Sequence, residues 1–337
     1  MCKLCGDAAA YVYPAQIRRA PSSSPSRPAV NIPLRFGQAK GCLNRLGLGL
    51  IVETGPIPGD LEDVVSVVFE SKRVRRPLAI RRVTVARVTE VAPTMVRVTL
   101  TGEELQGFEA PGPADHVKGF FPGPDGILAV PTIADDGMRQ PEVGTVHARD
   151  YTPLEFREQG ENGPELDIDF VIHGDDGPAA QWAVNAKPGD TFAFGGPRGS
   201  LMPPEGASDV VVVTDETGLP AARRFFQNFL PEVPVTGLFF LTDPDLRNYL
   251  DDIDGGTRQW FVGDEREAQA EQALRGLDIG ERTFVFLAGE AGAMVPLRRY
   301  LRRELGLPAG QMDASGYWKR GIVNLDHHAP LDPTDPE

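Results

Sequence analysis

Short runs of β-branched and aromatic residues, separated by glycine and proline, fill the chain between residues 81 and 203. Such runs predict β-strands. Segment 166–170 reads Leu-Asp-Ile-Asp-Phe, and this alternation predicts a strand with one buried face and one solvent-exposed face. Many short strands, with no long helical pattern before residue 178, favour an antiparallel sandwich or small barrel. The predicted strands cover residues 83–88, 95–100, 117–121, 144–152, 166–173 and 190–194.

A different pattern begins after Pro203, where strands that are apolar on both faces alternate with amphipathic helices. This alternation is typical of a parallel sheet covered by helices. Ligands of such sheets bind beyond the carboxyl ends of the strands, which here include residues 214–218 and 288–292. The predicted strands are 209–214, 235–241, 259–262 and 283–288, and the predicted helices are 220–230, 268–277 and 293–305.

The chain therefore divides into four predicted parts: a basic extension (1–80), an antiparallel β-domain (81–203), an α/β domain (204–321) and a tail (322–337). Residues 1–82 hold 13 Lys/Arg and 6 Asp/Glu, whereas the rest of the chain holds 21 and 42. The extension is poor in acidic residues and shows no hydrophobic periodicity, so we expect low complexity and disorder there. A transit-type targeting segment is the alternative interpretation.

Composition limits the class of protein. The 337 residues include 34 Lys/Arg and 48 Asp/Glu, a formal net charge of −14. This excess of acidic residues argues against a nucleic-acid-binding surface, because neutralising phosphates requires cations. Near the N-terminus the apolar run 46–52 is too short to span a bilayer. A hydrophobic content of 41% and a charged content of 24% are typical of soluble globular proteins.

The three cysteines, Cys2, Cys5 and Cys42, all lie in the basic extension. A disulfide framework for the two folded domains is therefore excluded. Cys2 and Cys5 have the spacing of a metal or redox pair, but neither a second cysteine pair nor a histidine before His116 completes a four-ligand zinc site. We expect no metal cofactor.

Residues 149–152, Arg-Asp-Tyr-Thr, form the first motif with chemical potential. In an extended strand Arg149 and Tyr151 lie on the same face. The tyrosine ring can pack against an isoalloxazine, the Thr152 hydroxyl can bond to ring heteroatoms, and the arginine can bind a phosphate. The pattern predicts a flavin site, and an ordinary half-buried strand is the alternative.

The second motif, residues 173–183, follows the alternating strand and opens a helix. Its glycines permit close backbone approach, and N–H groups at a helix start attract a diphosphate, although the segment is not a dinucleotide fingerprint. A Gly-Pro turn that caps a helix is the alternative.

A further motif lies near the C-terminus, where residues 316–321 contain adjacent aromatic and cationic side chains. These side chains can cover a flavin and hold an anion. Surface packing that stabilises the fold is the alternative.

Taken in order, eight segments resemble the FAD-binding siderophore-interacting proteins, a family of ferric-siderophore reductases. The resemblance extends from about residue 81 to residue 321 and implies a ferredoxin-reductase-like fold. That fold is an N-terminal antiparallel split β-barrel that binds FAD, followed by a parallel-sheet NAD(P)-type α/β domain. The segments are 115–118, 149–153, 166–174, 177–183, 196–200, 215–221, 288–291 and 316–321.

The resemblance implies a cytoplasmic, monomeric oxidoreductase that reduces Fe(III) in a siderophore with electrons from NADPH, NADH or a ferredoxin-type protein. A flavin oxidoreductase with another acceptor and a non-catalytic siderophore-binding protein are the alternatives. We expect no bound nucleic acid and no membrane span. The implied FAD-binding residues are Arg149, Tyr151, Thr152, His173, Gly174, Gly177, Pro178, Ala179, Trp182 and Thr217.

Siderophore complexes are often anionic, so a basic site is expected within an acidic protein. Residues 83–337 contain three lysines, and two of them, Lys118 and Lys319, lie in segments that carry the resemblance. Together with Arg320 they are the candidate siderophore contacts. The alternative is that they are solvated surface cations.

Overall fold

The computed structural model describes residues 69–134, 137–172, 177–323, 325 and 330–335. Most of the predicted basic extension and all three cysteines therefore lie outside the described residues. Of residues 69–80, which the sequence analysis assigns to the extension, Lys72–Arg75 form a strand. Among the described residues no helix has the length and hydrophobicity needed to cross a membrane.

The first half of the described chain is built from antiparallel strands. They are β1 (Lys72–Arg75), β2 (Ile80–Ala92), β3 (Met95–Thr101), β4 (Val117–Phe121), β5 (Thr132–Ala134), β6 (Gly137–Arg139), β7 (His147–Tyr151), β8 (Pro153–Gly160), β9 (Gly163–Val171), β10 (Thr191–Gly195) and β11 (Gly199–Met202). Seven of them form one antiparallel sheet in the order β7-β4-β10-β2-β3-β9-β8. This sheet confirms the predicted antiparallel β-domain at the level of its strands.

Two strand pairs and one helix accompany the main sheet. β1 pairs with β11, and β5 pairs with β6 in a hairpin inserted between β4 and β7. Helix α1 (Pro178–Asn185) follows β9, and its Trp182 packs against the aromatic core of the β-domain. The apolar, half-buried face of α1 packs against the curled sheet. This packing stabilises the β-domain mainly because it removes apolar surface from water.

The acidic side of β9 corrects one prediction. The alternation of residues 166–170 predicted a solvent-exposed face, yet Asp167 and Asp169 are only 5% and 4% exposed. Arg157 of β8 donates to Asp167 at 2.7 and 3.0 Å, and Arg97 of β3 donates to Asp169 at 2.7 and 2.9 Å. Each arginine guanidinium donates two hydrogen bonds to one carboxylate, so the acidic face is buried without unpaired charge.

The second half is the predicted parallel α/β domain. Its strands are β12 (Asp209–Thr214), β13 (Val235–Leu241), β14 (Thr257–Val262), β15 (Thr283–Glu290) and β16 (Met312–Trp318), in the parallel order β14-β13-β12-β15-β16. Its helices are α2 (Leu219–Phe229), α3 (Arg266–Arg275) and α4 (Ala291–Arg299), the last continued by a π-helical turn over Tyr300–Glu304. The sequence analysis did not predict β16.

The valine run of β12 explains why this half is apolar on both faces. Val210 and Val212 belong to one core cluster with α2, whereas Val211 and Val213 belong to a second cluster with α3 and α4. Alternate side chains of a strand point to opposite faces, so a central strand covered by helices on both sides must be apolar throughout. Because β12, β15 and β16 pair in parallel, their carboxyl ends lie at the same end of the sheet, called here its carboxyl edge.

Hydrogen bonds join the β-domain to the α/β domain. Thr94, in the β2–β3 turn, donates to the Asp243 carboxylate from its backbone nitrogen at 3.2 Å and from its hydroxyl at 2.6 Å. The Tyr249 hydroxyl donates to Asp169 of β9. Both acceptors are buried, so breaking these contacts leaves unpaired polar groups.

Candidate functional site

The predicted flavin motif lies on β7, beside β4. The Tyr151 ring is half-buried and packs against Phe170, with 4.4 Å between ring centroids, and against Phe121 at 5.8 Å. Burial raises the pKa of Tyr151 well above its ordinary value, so the phenol stays protonated at neutral pH. Arg149, two residues earlier on the same strand, donates from Nη1 to the carbonyl oxygen of Ala148 at 2.8 Å.

Helix α1 begins next to this strand. Gly177 is its N-cap and Pro178 its first residue, and no side chain caps the helix start. Among the described residues, no atom would lie within 4 Å of a Cβ placed on Gly177. The helix packs against β7, which brings Ala179 and its neighbours near the strand of Arg149. Two predicted members of this loop, His173 and Gly174, lie outside the described residues.

Trp182 anchors the helix. Its ring lies 4.7 Å from Phe192 and 5.5 Å from Phe170, measured between centroids. The same Phe170 contacts Tyr151, so one aromatic cluster holds both the helix and the flavin-motif strand. Trp182 thus packs, partly buried, against the core of the β-domain.

These groups fit the chemistry of FAD. Backbone N–H groups at an uncapped helix start and a guanidinium on the adjacent strand suit a diphosphate. An aromatic ring at the end of β7 suits the face of a flavin ring. Arg149, Tyr151 and the start of α1 can hold the cofactor together, because they belong to one contiguous part of the β-domain.

The end of the flavin motif contacts the C-terminal motif directly. Thr152 is 7% exposed, and its side chain lies next to that of Tyr317 on β16. Burial raises the pKa of Tyr317 above its ordinary value. The contact brings together two motifs that are far apart in the sequence and belong to different halves of the protein.

At the carboxyl edge of the parallel sheet, Asp215 collects four hydrogen bonds. Oδ1 accepts from the backbone nitrogen of Thr217 at 2.8 Å and from its hydroxyl at 2.5 Å. Oδ2 accepts from the backbone nitrogen of Glu290 and from Nε1 of Trp318, both at 2.8 Å. The hydroxyl of Thr217, a predicted FAD contact, is thus committed as a donor to Asp215.

The three candidate substrate cations differ in their partners. The Lys118 ammonium lies 2.8 and 2.9 Å from the two carboxylate oxygens of Asp150. The Arg320 guanidinium forms an ion pair with Glu267 on α3. Lys319 is exposed, and its side chain has no ion pair or hydrogen bond within the described part of the chain. Within the part of the chain that the structure describes, Lys319 is therefore the cation of this set without a competing carboxylate.

The sequence analysis missed four residues of this region: Asp150, Asp215, Glu290 and Tyr317. All four stand in segments singled out above: the flavin motif, the ends of β12 and β15, and the C-terminal motif. The position of a carboxylate after a parallel strand was the available signal. Its partners were not predictable, since Trp318 lies 103 residues from Asp215 along the chain.

A crevice of about 420 Å³ opens beside β8 and α2, next to the flavin motif. Phe108, Pro153, Phe156 and Arg224 are among its lining residues. None of the predicted cofactor or substrate residues lines it. The crevice is therefore distinct from the groups that fit FAD.

Comparison with known proteins agrees with this arrangement. A family model described as a siderophore-interacting FAD-binding domain matches residues 84–201. A second model, described as a siderophore-interacting protein, matches residues 207–321. Together the two models cover the antiparallel and the parallel halves of the described fold.

Individual relatives are similar over the same region. An NADPH-dependent ferric-chelate reductase of Escherichia coli is 37% identical over 250 residues, which are 73% of this chain and 96% of the relative. The ferric vibriobactin reductase ViuB of Vibrio cholerae is 32% identical over 246 residues, 71% of this chain and 89% of the relative. A crystal structure of a siderophore utilization protein from T. fusca superposes with a TM-score of 0.70 at 36% identity, covering 77% of this chain and 100% of that one. The chain belongs to the siderophore-interacting protein family.

Proposed function

We propose that this protein is an FAD-dependent oxidoreductase that takes electrons from NADPH and reduces Fe(III) bound in an anionic siderophore. Family membership and the reductase relatives support this function. Fe(II) is a softer and less highly charged ion than Fe(III) and binds hard oxygen chelators less tightly, so its formation releases the metal. The iron is thus the substrate and not a resident cofactor.

One observation carries the proposal: the side chains of Thr152 and Tyr317 lie next to each other. It holds the end of the predicted flavin motif against the segment that carries Lys319, the unpaired cation among the candidates in the described chain. Reduction of a bound iron complex requires the electron carrier and the anion-binding group to lie close together. The proximity of these two segments supports the proposal.

The proposed FAD site consists of the groups on β7 and at the start of α1. Arg149 and the backbone N–H groups that follow Pro178 would bind the diphosphate, and Tyr151 would face the flavin ring. When bound, FAD accepts a hydride and passes electrons singly to iron, which the protein's own side chains cannot do. His173 and Gly174 are assigned to this site on the resemblance alone.

The proposed substrate site is basic because of Lys319, assisted by Lys118 and Arg320. Lys118 and Arg320 are already paired with Asp150 and Glu267, so they contribute less net positive charge than Lys319. An anionic complex gains most from a cation whose charge is not neutralised by a neighbour. We therefore place the main electrostatic contact at Lys319.

The test uses purified protein that carries FAD. NADPH should bleach the flavin absorbance in the absence of oxygen, and a ferric tris-catecholate complex should restore it while Fe(II) is trapped by a chromogenic chelator. The gallium complex of the same ligand is the control, because it binds similarly and is not reduced. A reduced protein that passes no electrons to tris-catecholate, hydroxamate or citrate complexes of Fe(III) contradicts the proposal. Protein that purifies without flavin and still binds the complexes supports the non-catalytic binding protein instead.

We further propose that residues 81–203 and 204–321 are the two functional domains and that the protein works as a cytoplasmic monomer. The limits of the two family models, 84–201 and 207–321, support the division. A ferredoxin-type protein is the alternative electron donor. Comparing the reduction rate with NADPH, NADH and a reduced ferredoxin decides between the donors, and light scattering measures the oligomeric state.

A further inference from the structure

Three chain segments meet at the carboxyl edge of the parallel sheet. They are the turn after β12, the turn after β15 and the end of β16. The Asp215 carboxylate lies between them and is 3% exposed. One of its oxygens accepts from Thr217 of its own turn, and the other accepts from Glu290 and Trp318 of the two neighbouring segments. Asp215 therefore fastens the indole of Trp318 to the sheet.

Glu290 fastens the next part of the C-terminal motif. It is 5% exposed, and its Oε2 accepts from the backbone nitrogen of Ala293 at 2.8 Å, which caps α4. Its Oε1 accepts from the backbone nitrogen of Arg320 at 3.1 Å. The Arg320 side chain is held in addition by Glu267. Both residues that flank Lys319 are thus anchored, Trp318 through its side chain and Arg320 through its backbone and side chain.

Glycine makes room for both carboxylates. Gly289 has a φ of +149°, and a Cβ at this position would lie 2.7 Å from the Asp215 carboxyl group. A Cβ on Gly292 would lie 2.8 Å from Oε2 of Glu290. A side chain at either position would displace a carboxylate that holds the C-terminal motif, because heavy atoms do not approach so closely without a shift.

Burial makes the charged form of the Asp215 carboxylate costly, even though four hydrogen-bond donors contact it. Burial, followed by the negative charge of Glu216, raises the pKa of Asp215 to about 6. At neutral pH it is ionised and acts only as an acceptor, which matches its four donors. Such a network orders its members more strictly than a solvent-exposed contact does.

We propose that Asp215 and Glu290 are positioning residues for the siderophore: they hold Trp318 and Arg320 so that the ammonium of Lys319 is presented to the anionic iron complex. The inference rests on the proposed function, since it assigns the cause of Lys319's orientation at that same site. Neither carboxylate contacts the substrate. The hydrogen-bond donors that surround the two carboxylates partly compensate their negative charges.

Trp318→Phe tests the first anchor. It deletes the N–H donor to Asp215 and keeps an aromatic ring. We expect the Kd for the gallium complex of a tris-catecholate, measured by fluorescence quenching, to rise about three- to tenfold, the range for the loss of an ordinary intramolecular hydrogen bond. Trp260→Phe is the matched control: Trp260 lies on β14 at the far edge of the same sheet and packs against Phe239, and its replacement should leave the Kd unchanged.

The decisive comparison repeats Trp318→Phe and Asp215→Asn in a Lys319→Met background. If the anchors act through Lys319, each should change the Kd by less than about twofold once the lysine is absent, because the interaction energy of a coupled pair is then already lost. An equal loss in both backgrounds, or an unchanged Kd for Trp318→Phe in the parent protein, overturns the inference. Should Asp215→Asn not fold, Trp318→Phe alone carries the test.

Failure of this inference is distinguishable from failure of the proposed function. Gallium is not reduced, so the binding measurements do not depend on electron transfer. Parent protein that binds the gallium complex but reduces no ferric complex contradicts the proposed function. That result does not contradict the positioning role of Asp215 and Glu290. Parent protein that reduces ferric complexes while Trp318→Phe binds like the parent contradicts only the anchors.

Discussion

Lys118 and Asp150 are register partners on the neighbouring strands β4 and β7, and their side chains form an ion pair with an Nζ–Oδ1 distance of 2.8 Å. Directly paired residues of an antiparallel sheet have close Cβ atoms on the same face, which makes such a pair geometrically easy. The Lys118 side chain is 42% exposed, so the pair is partly solvated and contributes little to stability. Its importance lies in neutralising a cation near the flavin motif.

Asp150→Asn should release the charge of Lys118. Because the substrate is anionic, we expect the apparent KM for a ferric tris-catecholate to fall about two- to threefold, the scale of an exposed ion pair. The decrease should shrink at high salt. Steady-state kinetics at two ionic strengths measures it. Lys187→Met, which changes another exposed lysine, should leave KM unaltered; a rise in KM of the same size would show that only net charge matters.

Arg149→Ala and Tyr151→Ala should both loosen FAD. The first removes the cation beside the start of α1, and the second removes the ring that packs against Phe170. Flavin content after gel filtration measures the loss. Tyr151→Ala should also lower the free energy of unfolding by about 3 kcal/mol, because it leaves a cavity among aromatic residues. Tyr151→Phe, which keeps the ring, is the control, and full flavin occupancy in both alanine variants contradicts the site assignment.

The raised pKa of Asp215 predicts a pH dependence of stability. Its pKa is about 6 in the folded protein against 3.8 for an ordinary carboxyl, so the folded state binds the proton more tightly than the unfolded state does. Folding therefore disfavours the charged form of Asp215. The resulting decrease in the free energy of unfolding is absent below about pH 4 and complete above about pH 6. Glu216, Glu290, Tyr317 and Arg320 are the titratable or charged groups around it.

Comparison with Asp215→Asn isolates this contribution. Over the window from about pH 4 to about pH 6, the parent should lose on the order of 2–3 kcal/mol of unfolding free energy relative to the variant. Urea unfolding at several pH values measures the difference. The cost of the hydrogen bonds lost in the variant adds a constant offset. A difference that does not change with pH would contradict the raised pKa.

Arg157→Met should destabilise the β-domain strongly. Asp167 and Glu165 are buried, and both accept hydrogen bonds from the Arg157 guanidinium. Removing the arginine leaves buried carboxylates without their cation, which costs about 3–5 kcal/mol. Urea unfolding measures the loss, and adding Asp167→Asn should recover part of it. Arg275→Met is the control, because its partners Glu271 and Glu304 are solvated; it should cost less than about 1 kcal/mol.

The stability supplied by Asp167 has the opposite pH dependence to that of Asp215. Hydrogen bonds and the charge of Arg157 lower the pKa of Asp167 despite its burial. This contribution is complete above the ordinary carboxyl pKa and is lost as the pH falls through the lowered value. Asp215 and Asp167 are both buried carboxylates, and they differ in that an arginine side chain donates hydrogen bonds directly to Asp167.

Much of the fold was predictable from local pattern. Strands β4, β12 and β13 have the predicted limits, because apolar runs bounded by turn residues specify strands without reference to distant partners. The C-terminal strand β16 was missed: its residues Asp313, Ser315 and Gly316 do not form an apolar run. It becomes a strand because β15 offers an unpaired edge, which is a tertiary property.

By itself, the sequence determined the two architectures, their order and the motifs that carry the family resemblance, since each depends on residues close together in the chain. Only the tertiary structure decided which charges are neutralised. It paired Lys118 with Asp150 and Arg320 with Glu267, left Lys319 exposed, and buried Asp215 beneath Trp318. These pairings join residues that are 32, 53 and 103 positions apart, and charge interactions depend on distance and burial, which no local pattern contains.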